Sequence, residues 1–527
     1  MKAVPAHRNL QAAIGSSLRG RGSRLEVPSA EFHFAAAAAA ATSPTTMDDH
    51  NAAVKRIADV VKDFHSRREP FRIFHGSTSS TRPAHRQRVV DISELHNVLY
   101  IDAAAAVAVV EPNVPMDQLV AATYRCGLVP PVVMEFPGIT VGGGFAGSAG
   151  ESSSFRYGYF DETVQSVEMI LASGEVVNAS KTENPDLFKG AAGALGTLGI
   201  VTKLELRLLK AKQFVKLSYH SYSTIPEAVA AIQRETNLAH NDYVEGLVFS
   251  RTSAAIITGH MTDDLPDKCQ PQTFSRSKDP WFYLHARKRI ANGTPTPDYV
   301  PLQDYLFRYD RGAFWMGELA FKYFGVVPFN RLTRRALNRL MDTRTLYKAG
   351  LGGGSRMTFR YLVHDLSLPY IKVQEFIDYV ADNLEIWPLW LCPLRAIESP
   401  SFHPYTTEPG GETPQPMLNV GVWGLSSKKI DRFVRQNRDL EAKLMELGGR
   451  KVLYSHAYYT ESQFWDVYDK DWYTKLRDRY GATSLPTVYD KITVDVSKER
   501  RKKSLKDRIA ITWPFAGFVG VWSAIRK

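Results

Sequence analysis

Between Phe136 and Gly158 the chain reads FPGITVGGGFAGSAGESSSFRYG, with glycine at 138, 142, 143, 144, 147, 150 and 158. A backbone without side chains can adopt positive φ and approach a ligand closely. Successive exposed N–H groups form a concave anion site. Ser152, Ser153 and Ser154 add hydroxyl donors suited to phosphate oxygens. A solvated linker would be poorer in apolar residues than a stretch holding Ile139, Val141 and Phe145. The segment is therefore read as a ligand-cradling loop between two strand-like runs, and the rest of the chain as organised around it.

The chain has 527 residues, enough for a large core and two or three domains. Its net charge of +11 raises the prospect of nucleic acid or an anionic membrane surface. Most Lys and Arg are interspersed with acids, and only Lys498 to Arg508 forms a dense cluster. Cys126, Cys269 and Cys392 lie far apart and give neither a disulfide framework nor a zinc site, so no metal is expected.

Residues 1–46 are Arg-rich, poor in acids and carry the alanine run Ala35 to Ala41. Two readings stand: a mitochondrial transit peptide or a disordered low-complexity tail. Met47 opens the first helical pattern, with Val54, Ile57, Val60, Val61 and Phe64 at helical spacing. Phe71–Phe74 reads as a strand ending in HGSTSSTR, His75 to Arg82, a second turn of small and hydroxyl residues. Short strands follow at Val89–Ile92, Val98–Ile101 and Val107–Val110, then a helix from Met116 stopped by Gly127. Beyond the glycine loop, Ser166 to Ala179 reads as a hairpin about Ser173-Gly174. A third glycine-lined turn, Gly193, Gly196 and Gly199, leads into a strand with Ile200, Thr202, Leu204, Leu206 and Leu208 on one face.

Residues 211–445 form a second region in which aromatic and basic residues mix, as in DPWFYLHARKR and YLFRYDRGAFWMGELAFKYF. Base stacking is one use of such a mixture. A broad apolar core with snorkelling basic side chains is the reading preferred here, and no nucleic-acid partner is expected. Ala349 to Arg356, AGLGGGSR, approaches a dinucleotide fingerprint, but Ser355 replaces the last glycine and a helical pattern precedes it. Residues 446–494 are a block rich in Tyr and Trp. After the basic cluster, Ile509 to Ile525 carries no charge. As a helix it would reach roughly 25 Å, short of a ~30 Å hydrocarbon core, so the tail 495–527 is expected to lie on or shallowly in a membrane, with a terminal strand tucked into the core as the competing reading.

In this order, HGSTSSTR, VEPNV, PGITVGGGFAGSAGESSSFRYG and GTLGIVTKLELR resemble the FAD-binding domain of the vanillyl-alcohol-oxidase (PCMH) type. The further wording WLCP and P-x-VYDKI is similar to the Δ24-sterol reductases (24-dehydrocholesterol reductase and the plant Diminuto/Dwarf proteins), over about residues 70 to 494. The resemblance implies an α+β chain: a two-subdomain PCMH-type FAD-binding domain at 47–210, a mixed α/β substrate domain at 211–445, and a segment at 446–494 returning toward the flavin. It implies that His75, Gly76, Ser77, Thr78, Ser79 and Thr81 form one cofactor loop. Pro137, Gly138, Thr140, Val141, Gly142, Gly143, Gly144, Gly147, Gly150, Glu151, Ser152, Ser153, Ser154, Tyr157 and Gly158 would form the second, and Gly196, Thr197, Gly199 and Ile200 the third. No cysteine lies in these loops, and His75 precedes its loop glycine, so noncovalent FAD is expected.

The function implied is an NADPH-dependent, FAD-containing reductase of a sterol Δ24 double bond. The open alternatives are a reductase of another isoprenoid side chain, an oxidase of the same fold, and a noncatalytic membrane-associated lipid-binding protein. Such an alkene has no neighbouring carbonyl to absorb hydride, so an acid must protonate C24 while hydride reaches C25. His456, Tyr458 and Tyr459 are the candidate acids, with core packing as the competing reading of both tyrosines. The expected location is the cytosolic face of the endoplasmic reticulum membrane, with mitochondrial targeting by residues 1–46 as the variant reading.

Overall fold

The computed structural model describes residues 46–76, 88–293, 295–325, 327–350, 361–408, 410–427 and 429–494. Ser77, Thr78, Ser79 and Thr81, the AGLGGGSR run from Leu351 onward, residues 1–45 and the basic and apolar tail lie outside the described residues. The architecture is α+β, built on two large antiparallel sheets.

The first sheet has five strands, in the order Val98–Asp102, Val107–Val110, Ile200–Arg207, Val164–Ile170 and Val176–Ser180. Its third strand shows the expected alternation. Ile200, Thr202, Leu204 and Leu206 are fully buried, while Lys203 and Glu205 are half-buried and Arg207 is exposed. The hairpin turn at Gly174 has φ +84°. Helix Met47–Ser66 begins at a capping box formed by Thr46 and Asp49, and buries Val54, Ile57, Val61 and Phe64. Val60, expected on the same face, is 45% exposed.

The second sheet has eight strands. Its central run is Tyr243–Ser250, Leu389–Leu394, Met417–Leu425 and Tyr361–Pro369. Alternation divides its faces. Leu362, Leu366, Leu391, Val420 and Val422 belong to a core shared with helices Ile225–Thr236, Val373–Asn383 and Ile430–Glu446. The opposite face presents Asp365, Trp390, Cys392, Asn419 and Trp423 to a cavity. Register places Gly421 opposite both Asp365 and Trp390. A Cβ at Gly421 would lie 3.2 Å from each of these side chains, so glycine keeps that row level.

Candidate active site

A cavity of about 390 Å³ is lined by residues of both sheets, within the roughly 300–1,000 Å³ usual for small-molecule sites. One end is lined by glycine. It takes in Gly76, Gly142, Gly143, Gly147, Gly150, Gly196 and Gly199, with Thr140 and His75 beside them. Arg72 and Lys491 line the same cavity, and Lys491 Nζ donates to the Leu195 carbonyl at 2.5 Å.

The glycine stretch is not an open loop of positive φ. Thr140 caps a short helix, Val141–Ala146, by accepting from the Gly143 N–H at 3.2 Å. Gly142 N–H donates to the Pro112 carbonyl at 2.7 Å, which holds the helix against the EPNV segment. A Cβ at Gly142 would fall 2.7 Å from Pro112 Cβ and 3.0 Å from its carbonyl oxygen. Glycine is required there by chain packing. Of the glycines in the stretch only Gly158 has positive φ, at +81°.

The expected site residues separate accordingly. Gly144 is packed on Met134 and Phe160, and Val141 and Ile200 are fully buried in the core. Pro137, Gly138, Tyr157 and Gly158 are not among the residues lining the cavity. Thr197 Oγ1 is 2.7 Å from the Tyr473 hydroxyl. The three serines are engaged within the chain and do not line the cavity. Ser153 Oγ donates to the Pro131 carbonyl at 2.8 Å, and Ser154 Oγ accepts from the Glu151 N–H at 2.9 Å. Ser152 Oγ lies 3.1 Å from the Tyr305 hydroxyl.

Glu151 belongs to a buried charge cluster. Arg308 donates to Glu151 at 3.0 Å and to Glu245 at 2.9 Å, with all three side chains 4% exposed or less. Burial opposes the Arg308 charge, but the two carboxylates hold its pKa well above the ordinary range. Glu245 also accepts from Trp390 Nε1 at 2.9 Å and from the Tyr309 hydroxyl at 2.8 Å. The cluster ties the residue after Gly150 to the floor of the cavity. Arg308→Met is expected to cost about 3–5 kcal/mol, because two buried carboxylates lose their counter-charge. Chemical denaturation reads this loss, and an unchanged midpoint would contradict it.

The acids facing the cavity are not the expected ones. Tyr458 packs edge-on against Phe433 at 6.0 Å, and its N–H donates to Glu441 at 2.9 Å. Tyr459 is buried in the core, with its carbonyl accepting from Tyr489. The His456 carbonyl accepts from Lys451. None of the three lines the cavity, whereas Tyr454 of the same LYSHAYY block does. Segment 446–494 thus reaches the cavity through Val452, Tyr454 and Lys491.

Tyr454 hydrogen-bonds Asp365, which also accepts from Asn419 Nδ2 at 3.0 Å. Burial raises the Asp365 pKa to about 6 against the pull of these two bonds. Glu135, 8% exposed, faces the same space from the VVMEF run. Burial, then the nearby Glu151 charge, pushes its pKa up to about 8. Around these acids stand Phe136, Tyr347, Trp390, Trp423 and Leu394. The sequence signal for the acids was a single carboxylate inside an apolar run, VVMEF and YLVHDLSL.

A glycine-lined, cation-bearing end joined to an aromatic end with buried acids defines a dinucleotide-dependent enzyme site. Residues 52–180 match the family model described as FAD binding domain. The chain is 30% identical over 407 residues to the Delta(24)-sterol reductase of Macaca fascicularis, covering 76% of each chain. The same figures hold for the Delta(24)-sterol reductase of Homo sapiens. With that of Arabidopsis thaliana it is 29% identical over 452 residues, 80% of this chain and 78% of the relative. The chain belongs to the Delta(24)-sterol reductase family.

The cavity fits FAD on its own chemistry. Ser148 and Trp423 line it, and Ser148 Oγ and Trp423 Nε1 are buried polar atoms with no hydrogen-bond partner among the described residues, whereas such groups are normally satisfied. Gly196 has φ +70°, and a Cβ there would fall 2.7 Å from Ile73 Cδ1. Cys392, outside the three cofactor loops, nevertheless lines the cavity. Burial raises its thiol pKa well above the ordinary value, which keeps it protonated and a poor nucleophile for a flavin tether.

Proposed function

We propose that this protein is an FAD-containing, NADPH-dependent reductase of the Δ24 side-chain double bond of a sterol. The observation that carries the reading is the continuous cavity joining a glycine-lined end to an apolar floor bearing Glu135, Asp365 and Tyr454. In this reading Gly142, Gly143, Gly147, Gly150, Gly196 and Gly199 give the cofactor close backbone approach. Arg72 and Lys491 offset the charge of its diphosphate. Trp390, Trp423, Tyr347 and Phe136 hold the branched hydrocarbon end of the sterol and exclude water. Bound FAD, reduced by NADPH, supplies the hydride. Glu135 holds the proton destined for C24, and the Tyr454–Asp365 pair orients the acid face of the cavity. Together proton and hydride saturate the bond with no group leaving.

The cofactor is held without a covalent bond. Acid precipitation should therefore leave the flavin in the supernatant. Incubating the holoprotein with NADPH and a Δ24-unsaturated sterol should give a product gaining two hydrogens. Flavin that precipitates with the chain contradicts noncovalent binding, and an unchanged sterol contradicts the reaction.

We also infer membrane residence at the cytosolic face of the endoplasmic reticulum through residues 498–525, supported by their basic and then uncharged sequence. Among the described residues no helix is long and apolar enough to cross a membrane. Removing 498–527 should shift the protein to the soluble fraction, and continued sedimentation with membranes would contradict this.

A further inference from the structure

The interleaved aromatic and basic blocks separate into an inner and an outer face. Trp281, Phe282 and Tyr283 are 1% exposed. Phe329 packs on Trp281 at 5.4 Å and on Phe321 at 5.3 Å. Arg308 and Arg311 of the same region are buried, while the arginines that follow Phe329 lie nearer the surface. Helix Arg331–Ala336 rests on this aromatic base through Arg334, whose guanidinium lies 4.9 Å from the Phe329 ring centroid and 5.7 Å from that of Trp281. Leu332 and Arg335 stand at i, i+3 on the helix, and Arg339 lies in the 3-10 turn Asn338–Leu340 that follows it. Leu332 is 75% exposed, and Arg331, Arg335 and Arg339 are exposed in the same short segment. These three arginines form no ion pair among the described residues. No acid occurs between residues 327 and 341. The nearby Glu318 is already engaged by Lys322 at 2.8 Å and by the Tyr283 hydroxyl at 2.5 Å.

An exposed leucine in a segment of exposed arginines, which form no ion pair among the described residues, combines apolar insertion with attraction to anionic headgroups. Nucleic acid would need stacking rings at the surface, and here the rings point inward. Along the chain this segment is followed directly by one that reaches the cavity. The chain turns at Asp342 into helix Thr343–Gly350, where Arg344 pairs with Asp117 at 2.8 Å and Tyr347 lines the cavity.

We propose that Arg331, Leu332, Arg335 and Arg339 form a docking surface for an anionic lipid bilayer, separate from the C-terminal tail. If the sterol reading above holds, the surface also brings the substrate's solvent phase to the cavity wall.

The test is flotation of the full-length holoprotein with vesicles of phosphatidylcholine, with and without phosphatidylserine. Arg331→Gln, Arg335→Gln and Arg339→Gln combined should lower partition onto the anionic vesicles roughly a hundredfold at low salt, since each cation at such a surface is worth about fivefold. Partition onto neutral vesicles should hardly change. Leu332→Ser alone should lower partition onto both. All four side chains face solvent, so flavin content and the melting temperature should be preserved. A triple variant that floats like the wild type overturns the proposal and leaves membrane binding to the tail. Wild-type protein that ignores anionic vesicles also overturns it, and would turn the surface toward an acidic protein partner. Flotation reads no catalysis, so its failure leaves the reductase reading intact, and loss of that reading leaves the flotation result standing.

Discussion

Gly142→Val is expected to yield protein with less than one-tenth of the wild-type flavin content. The first added carbon would sit 2.7 Å from Pro112 Cβ and 3.0 Å from its carbonyl oxygen, inside the distance real Cβ atoms keep. Gly142 and Pro112 both line the cavity, so the segments must separate and the glycine-lined end opens. Overpacking of this kind typically costs about 1–3 kcal/mol, and the branched valine adds more. The matched control is Gly127→Ala. Gly127 has φ +71° with nothing within 4 Å of an added Cβ. It should lose about 1–2 kcal/mol of stability from left-handed strain while keeping its flavin. The ratio of flavin to protein absorbance checks both variants. Full flavin in Gly142→Val would show that the helix from Val141 to Ala146 does not shape the cofactor end.

Glu135→Gln should retain flavin and its reduction by NADPH, yet lose roughly 10²–10⁴-fold in kcat, the usual worth of a positioned acid. Burial, then the Glu151 charge, holds the Glu135 pKa up at about 8. A donor must carry its proton, so wild-type turnover should be level below pH 8 and fall as pH rises through it. Stability moves in the same direction. The folded carboxyl binds its proton more tightly than the unfolded one, so its contribution is fully present below the ordinary glutamate value of 4.5. That contribution is lost as pH rises through about 8. The glutamine variant should lack this alkaline loss. If Glu135→Gln keeps its rate while Tyr454→Phe does not, the proton comes from the Tyr454–Asp365 pair.

Much of the cofactor half was legible because its signals are local. The alternation from Ile200 to Leu206 and the helical spacing of Val54, Ile57, Val61 and Phe64 each lie within one element. So does the run of glycines, although its serines turned inward to bond Pro131 and Glu151. A hydroxyl-rich run states that donors are present, not which backbone groups already claim them. The substrate half was not legible for a different reason. Strands Leu389–Leu394 and Met417–Leu425 are buried on both faces apart from Leu425, so no polar–apolar alternation separates the cavity side from the helix side. Asp365 and Trp390 flank Gly421 only through strand register, a long-range pairing. In LYSHAYY a turn replaces any period, so nothing distinguished Tyr454 from Tyr458 or Tyr459 before the chain was folded.

On the function proposed, one cavity lets NADPH-derived hydride and a buried acid saturate a sterol side chain. Anaerobic spectroscopy of the holoprotein tests it most directly. NADPH should bleach the flavin band, and a detergent-solubilised Δ24-unsaturated sterol should then restore it, with the saturated side chain as product. A band that NADPH leaves unchanged, or one that only oxygen restores after bleaching, would contradict the account.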